Sequence, residues 1–250
     1  MKTWLVNKFK EQLLRRGYVV AKPLFHQENE IDLRLLLAER LEKTGTPLSV
    51  VQIGANDGVA NDPLRHLVVS RGWQLLAVEP LAPAFARLVQ NYRDFPNVRC
   101  VQCAVSKNDG EATIYSLARS DDSRGEDQLA SFSLEVLMRH SRHVADLDSR
   151  IQATKVRALT LRTLLEENQV AVVDMLQIDT EGFDYEVIQL AFGMGLKPSI
   201  LAFEWEHLDL KEMWECRRSL VENGYRWLVV KGDVVAAHET LFRQSAGNLD

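Results

Sequence analysis

The chain has 250 residues, 46% hydrophobic and 26% charged, and its 30 Lys and Arg against 35 Asp and Glu give a formal net charge of −5. These fractions exclude a largely disordered or fibrous chain, and the acidic balance argues against a general nucleic-acid binder, whose phosphate contacts need clustered cations. A chain this long buries about three quarters of its unfolded surface, so it suits one large domain that needs no disulfides.

Cysteine is sparse: Cys100, Cys103 and Cys216. Cys100 and Cys103 fall in a stretch that reads as a strand, where residues three apart point to opposite faces, so packing is favoured over a shared metal or redox pair. No apolar run reaches the ~18 residues of a membrane span, and residues 1–10 lack the apolar core of a signal peptide. The expectation is a cytoplasmic protein.

Leu5, Phe9 and Leu13 recur at helical spacing among Lys2, Lys8, Lys10, Arg15 and Arg16. This predicts a basic amphipathic helix over 3–16, packed on the domain or across a homodimer rather than on a membrane. A second helix is expected over 30–43, ended by Gly45-Thr46-Pro47. Residues 1–47 are thus a helical extension and 48–250 the main domain. From residue 48 strands alternate with helices: strand 49–53, helix 63–71, strand 74–78, helix 83–92 and strand 98–105. Asn108-Asp109-Gly110 is a turn signal, with 112–117 as the return arm of a hairpin. Residues 119–131 are polar and aperiodic, a surface loop or lid. Then come helix 132–147, a brief strand 156–158, helix 161–167, buried strand 170–178, helix 182–192, strand 199–203, helix 211–222 and strand 226–230. Residues 233–238 close the sheet as an antiparallel edge. This alternation implies an α/β fold, a mainly parallel sheet with helices on both faces.

The first strand runs into Gln52-Ile53-Gly54-Ala55-Asn56-Asp57-Gly58. Glycines at such a handover admit a ligand close to the backbone, although G-x-x-x-G is not the dinucleotide fingerprint. The second strand ends Ala77-Val78-Glu79-Pro80, placing Glu79 22 residues beyond Asp57. An acid there is spaced to bind a ribose diol, so glycine turn and acid together point to a nucleoside site. The buried strand ends Gln177-Ile178-Asp179-Thr180-Glu181-Gly182, and a later strand ends Phe203-Glu204-Trp205-Glu206-His207. Ligands of open α/β sheets bind beyond such carboxyl ends, so Asp179, Glu181, Glu204 and His207 are candidate catalytic groups. Glu204 and Glu206 are expected on one face of an extended segment, with His207 opposed. His140 and His143 read as exposed, and Trp205, Trp214 and Trp227 as core.

The order IGANDG, VEP, CAVSKNDG, TLRTLLEE, IDTEGFDYEVI, FEWEH over about residues 48–207 resembles the FkbM-type family of S-adenosylmethionine-dependent methyltransferases. The resemblance implies a class I methyltransferase (Rossmann-like) fold and O-methylation of a hydroxyl on a sugar, glycan or natural-product acceptor. It implies that Gly54, Ala55, Asn56, Asp57 and Gly58 line the methionine portion of the cofactor and that Glu79, followed by Pro80, takes the ribose. Cys103 and Ala104 would lie near the adenine, with Asp179, Glu181 and Glu204 facing the acceptor. The family usually has Asp at the position of Gln52 and often Lys at that of Gln177.

An aliphatic hydroxyl hardly ionises at pH 7. Either Asp179 or His207 takes its proton, or the carboxylates hold a divalent cation such as Mg²⁺ that lowers its pKa. The rivals are a nicotinamide-dependent oxidoreductase, a nucleic-acid methyltransferase, and a non-catalytic cofactor-binding scaffold. The first lacks its third glycine, the second conflicts with the acidic balance, and the third has no need of the acids.

Overall fold

The fold is seen in a computed structural model that describes residues 33–42, 46–117, 130–140, 147–230 and 232–243; the helix expected over 3–16 and the segment 119–129 lie outside them. A seven-stranded sheet forms the centre. Its strands are β1 (Ser49–Ile53), β2 (Gln74–Val78), β3 (Val98–Val101), β8 (Met175–Ile178), β9 (Ile200–Glu204), β10 (Tyr225–Val230) and β11 (Asp233–His238). Their spatial order is β10-β11-β9-β8-β1-β2-β3. The run from β9 to β3 is parallel throughout, whereas β11 is antiparallel to both β9 and β10. The segment 233–238 is therefore antiparallel as expected, but it is an interior strand, and β10 is the edge.

Helices cover both faces because β1 and β8 are apolar on both sides. One face carries α1 (Leu33–Glu42), α2 (Arg65–Arg71), α3 (Ala82–Tyr92) and α9 (Thr240–Arg243). There Leu37, Leu67, Leu88 and Leu241 pack with Val50, Leu75 and Met175. The other carries α6 (Leu161–Glu167), α7 (Asp184–Gly193) and α8 (Leu210–Glu222), with Leu164, Ile188 and Leu220 against Val51, Ile178 and Phe203. Each such side chain contributes about 1.5–3 kcal/mol when fully buried. α1 is thus joined to the main core. Fully buried Trp73 donates its indole N–H to Glu42 at 2.5 Å, and Arg71 pairs with Glu39 and Glu42 at the surface.

A second sheet is made of β4 (Ala104–Val105), β5 (Gly110–Leu117), β6 (Ala130–Ser131) and β7 (Ile151–Leu159), in the order β4-β7-β5-β6. The continuous strand expected over 98–105 is divided between the sheets, because the chain leaves β2 after Val101 and joins β7 at Ala104. Cys103 sits in that crossing, fully buried on one side of the main sheet, while Cys100 packs on the other, and both are free thiols. The 112–117 arm does not return along its predecessor; it pairs antiparallel with β7 from Gly110–Ala158 to Leu117–Ile151. β7 is longer than the expected 156–158 because its first half is mostly exposed and reads as polar. Among the described residues of 132–147, helical structure is α4 (Leu134–His140) and the start of α5 (Leu147–Arg150); residues 141–146, His143 among them, lie outside the described residues. Trp205 and Trp227 flank the core, but Trp214 is 66% exposed on α8, a correction to its expected burial. Among the described residues no helix is long and apolar enough to cross a membrane.

Candidate active site

β1 hands over to its loop at Gly54, whose φ is +83°. A Cβ there would lie 1.7 Å from the carbonyl oxygen of Asp179, so only glycine lets the ends of β1 and β8 meet. The N–H groups of Gly54 and Ala55 both donate to Val78 O, at 3.0 and 2.9 Å, clamping the loop to β2. Asn56 follows at φ +46°. Its N–H donates to Glu79 Oε2 at 3.0 Å, while Leu81 N–H donates to Oε1 at 2.9 Å. Glu79 is only 6% exposed. Burial pushes its carboxyl up to about 7, against the two backbone N–H bonds and Arg87, which favour the charged form.

Asp57 and Gly58 shape this loop from outside. Asp57 Oδ1 accepts the N–H groups of Val59 and Ala60, an Asx turn. At Gly58 a Cβ would meet the Tyr92 ring at 2.4 Å, so the second glycine serves close packing on α3.

Beyond the carboxyl ends of the strands lies a cavity of about 350 Å³. Gly54, Ala55, Asn56, Glu79 and Pro80 line one end, with Cys103 and Ala104 in the wall; Asp57 and Gly58 do not reach it. Asp179, Glu181 and Glu204 line the other end. The small sheet supplies Ile114, Ala130 and Phe132, and Phe132 packs on Phe183 with centroids 4.6 Å apart. Sequence reasoning missed Asp62, Phe132 and Asp233 as lining residues. Asp62 is legible only as a cap, its Oδ1 accepting from Leu64 and Arg65 N–H. Gln52 also faces the cavity, and its buried Oε1 has no hydrogen-bond partner among the described residues.

The acidic end is built by a strained turn. Glu181 adopts φ +52° and Gly182 φ +104°. Fully buried Asp184 holds them: its Oδ2 accepts from Thr180 Oγ at 2.8 Å and from the N–H groups of Thr180 and Gly182 at 3.3 Å. Burial raises Asp184 to about 6, against these three bonds. The turn swings Glu181 toward His207, whose Nε2 is 2.9 Å from Glu181 Oε2 and 3.0 Å from Glu204 Oε2. Burial alone would lower the imidazole pKa, but the hydrogen bonds to Glu181 and Glu204 outweigh it and raise it to about 10. His207 is therefore a cation at pH 7. Asp179 stays open to solvent through the cavity, yet desolvation at its depth, reinforced by Glu181, Asp184, Glu204 and Asp233, pushes it up to about 8.

His207 does not oppose Glu204 as an extended segment requires. β9 ends at Glu204 and the chain turns, bringing His207 onto the acid three residues earlier and leaving Glu206 exposed beside Gly232.

A profile described as the Methyltransferase FkbM domain matches residues 52–227, more than two thirds of the chain. The chain belongs to the FkbM methyltransferase family. With this assignment, the parallel sheet with its one inserted antiparallel strand is a class I methyltransferase fold, and the methyl donor is S-adenosylmethionine. Neither the oxidoreductase nor the non-catalytic scaffold is favoured. No curated protein matches the chain. Among solved structures, a methyltransferase FkbM from Methylobacillus flagellatus KT is 14% identical with a TM-score of 0.46, over 77% of this chain and 44% of that one. This FkbM chain thus spans less than half the length of that relative. The METTL16 MTase domain is 13% identical with a TM-score of 0.47, over 91% of this chain and 76% of that one. The N-terminal domain of human METTL16 in complex with SAH is 14% identical with a TM-score of 0.43, over 92% and 78%.

Proposed function

We propose that this FkbM methyltransferase transfers the methyl group of S-adenosylmethionine to a hydroxyl of a sugar, glycan or natural-product acceptor, with Asp179 as general base. The observation that carries this reading is the position of Asp179 in the cavity wall, between the Gly54–Glu79 cradle and the Glu181–His207–Glu204 cluster. Gly54, Ala55 and Asn56 would border the methionine portion and Gln52 Oε1 would accept from its ammonium. Glu79 would accept from the ribose diol, and Cys103 and Ala104 would flank the adenine. The cofactor supplies an electrophilic methyl carbon. Asp179 would hold an acceptor hydroxyl against that carbon and its carboxylate would take the proton, the electron pair of the broken carbon–sulfur bond staying on sulfur. A base titrating near 8 is matched to work slightly above neutrality. His207, charged and shared by two carboxylates, is a poor proton acceptor and instead orients Glu181 and Glu204.

One observation favours a second reading of the same cluster: donor atoms of Glu181, Glu204 and His207 all lie within 4.8 Å of one another. Two carboxylates and an imidazole suit a divalent cation, which would displace the His207 proton and polarise the hydroxyl directly.

Calorimetric titration with S-adenosylmethionine, with NAD as control, tests the cofactor assignment. Transfer of radiolabelled methyl to a panel of methyl glycosides and hydroxylated macrocycles tests the acceptor, with EDTA and added Mg²⁺ separating base from cation. Asp179→Asn is expected to bind the cofactor normally and transfer nothing; undiminished transfer would sink the base assignment.

A further inference from the structure

The family match ends at residue 227 and begins at 52, yet two residues outside it meet behind the acidic end of the cavity. α1 packs against β9 and β11. From it Arg34, 9% exposed, reaches beneath the site. Its Nε donates to Gln177 Oε1 at 3.0 Å and its Nη2 to Asp233 Oδ2 at 2.6 Å. Gln177 and Asp233 both line the cavity. Taking a guanidinium out of water costs several kcal/mol unless it is well paired, and this fork is paired on two sides.

Asp233 stands directly opposite Glu204 in the β9–β11 register. Like charges at opposed positions repel. Arg34 compensates the β11 member of the pair, as His207 compensates the β9 member. Among the described residues, the lining of the cavity contains the carboxylates of Asp62, Glu79, Asp179, Glu181, Glu204 and Asp233 and no Lys or Arg. Arg34 is thus a fixed positive charge set just behind an acidic wall.

We propose that Arg34 is a positioning residue of the methyl-transfer site: with Asp233 it sets the electrostatic field at the acceptor end and holds Gln177 in the wall. This rests on the methyltransferase reading above. The fork geometry belongs to arginine; a lysine supplies the charge but cannot bond Gln177 and Asp233 together in the same way.

The test compares S-adenosylmethionine with S-adenosylhomocysteine. The two differ by one methyl group and the sulfonium charge, so the ratio of their dissociation constants reports the field at the reacting sulfur. A unit charge acting over roughly 10 Å at an effective dielectric constant of about 35 changes that ratio about five-fold. Arg34→Ala is expected to shift the ratio about five-fold toward S-adenosylmethionine and Asp233→Asn to shift it the opposite way. The double variant should return to the wild-type ratio, and Arg34→Lys should stay near it. Loss of packing would instead weaken both ligands in parallel, and that result, or an unchanged ratio in both single variants, overturns the proposal. If Arg34→Ala fails to fold, Arg34→Gln, which removes the charge but keeps a polar side chain, takes its place: its ratio should shift the same way, and an unchanged ratio overturns the proposal. Failure of the wild-type protein to bind either ligand overturns the methyltransferase reading itself, and the wild-type titration alone distinguishes it.

Discussion

Replacing Glu79 by Gln removes a carboxylate that is buried at the cavity yet, among the described residues, accepts hydrogen bonds only from the N–H groups of Asn56 and Leu81. Its pKa rises from 4.5 to about 7 on folding, with burial as the largest cause. Over that interval the folded protein keeps a proton that the unfolded chain has released. Stability of the ligand-free protein is therefore greatest below 4.5, falls as pH rises toward 7, and is flat above. The whole effect corresponds to about 3 kcal/mol, of which roughly 2.5 kcal/mol lies between pH 5 and 8. Urea unfolding of wild-type and Glu79→Gln proteins at pH 5, 6.5 and 8 measures it. Asp184 and Asp179 are raised as well, but both persist in the variant, so the difference between the two curves isolates Glu79. Wild-type stability should fall more steeply with pH by about 2–3 kcal/mol. Parallel curves would refute the argument that this carboxyl is buried at a net cost. Such a cost is intelligible if ribose hydroxyls complete its hydrogen bonding, in which case cofactor affinity strengthens as pH rises through about 7.

Three further substitutions probe the frame. Gly54→Ala forces a Cβ to 1.7 Å from Asp179 O at a positive φ; thermal unfolding should show a loss of more than about 3 kcal/mol together with loss of cofactor binding, and a normal melting temperature would contradict the close approach. Asp184→Ala leaves Thr180 and Gly182 without their shared acceptor and should cost about 2–4 kcal/mol. Methyl transfer should fall more than cofactor affinity, since Glu181 lies on that turn; equal losses would count against it. Trp73→Phe keeps the ring buried but removes the donor to Glu42. Denaturant unfolding should register about 1 kcal/mol, and hydrogen exchange should quicken in α1; exchange unchanged there would show that the bond does not anchor the helix.

The grouping of Gly54, Ala55, Asn56 and Glu79 at one end of the cavity is legible because its signals are local. A glycine turn and an acid spaced after it report one β-loop-α unit and its neighbour, and helix 161–167 carries its own cap, with Thr160 Oγ1 accepting Thr163 N–H. The acceptor end was less so. Arg34 and Asp233 are 199 positions apart, and nothing in the neighbourhood of either announces the other. The Glu204–His207 pairing is hidden because strand alternation no longer holds past Glu204, where β9 ends and the chain turns. The division of 98–105 escaped notice because a strand that changes partners keeps the same apolar pattern in both sheets.

That division has an engineering meaning. All four strands of the small sheet lie between Ala104 and Leu159, so one uninterrupted stretch of chain supplies Ile114, Ala130 and Phe132 to the cavity. Gly54, Ala55, Asn56, Glu79, Asp179 and the Arg34–Asp233 pair all come from outside it. The stretch is a cassette: exchanged between relatives, with Ala104, Val105 and Leu159 kept where it meets the main core, it would redraw one wall of the cavity and leave Gly54, Glu79 and Asp179 in place.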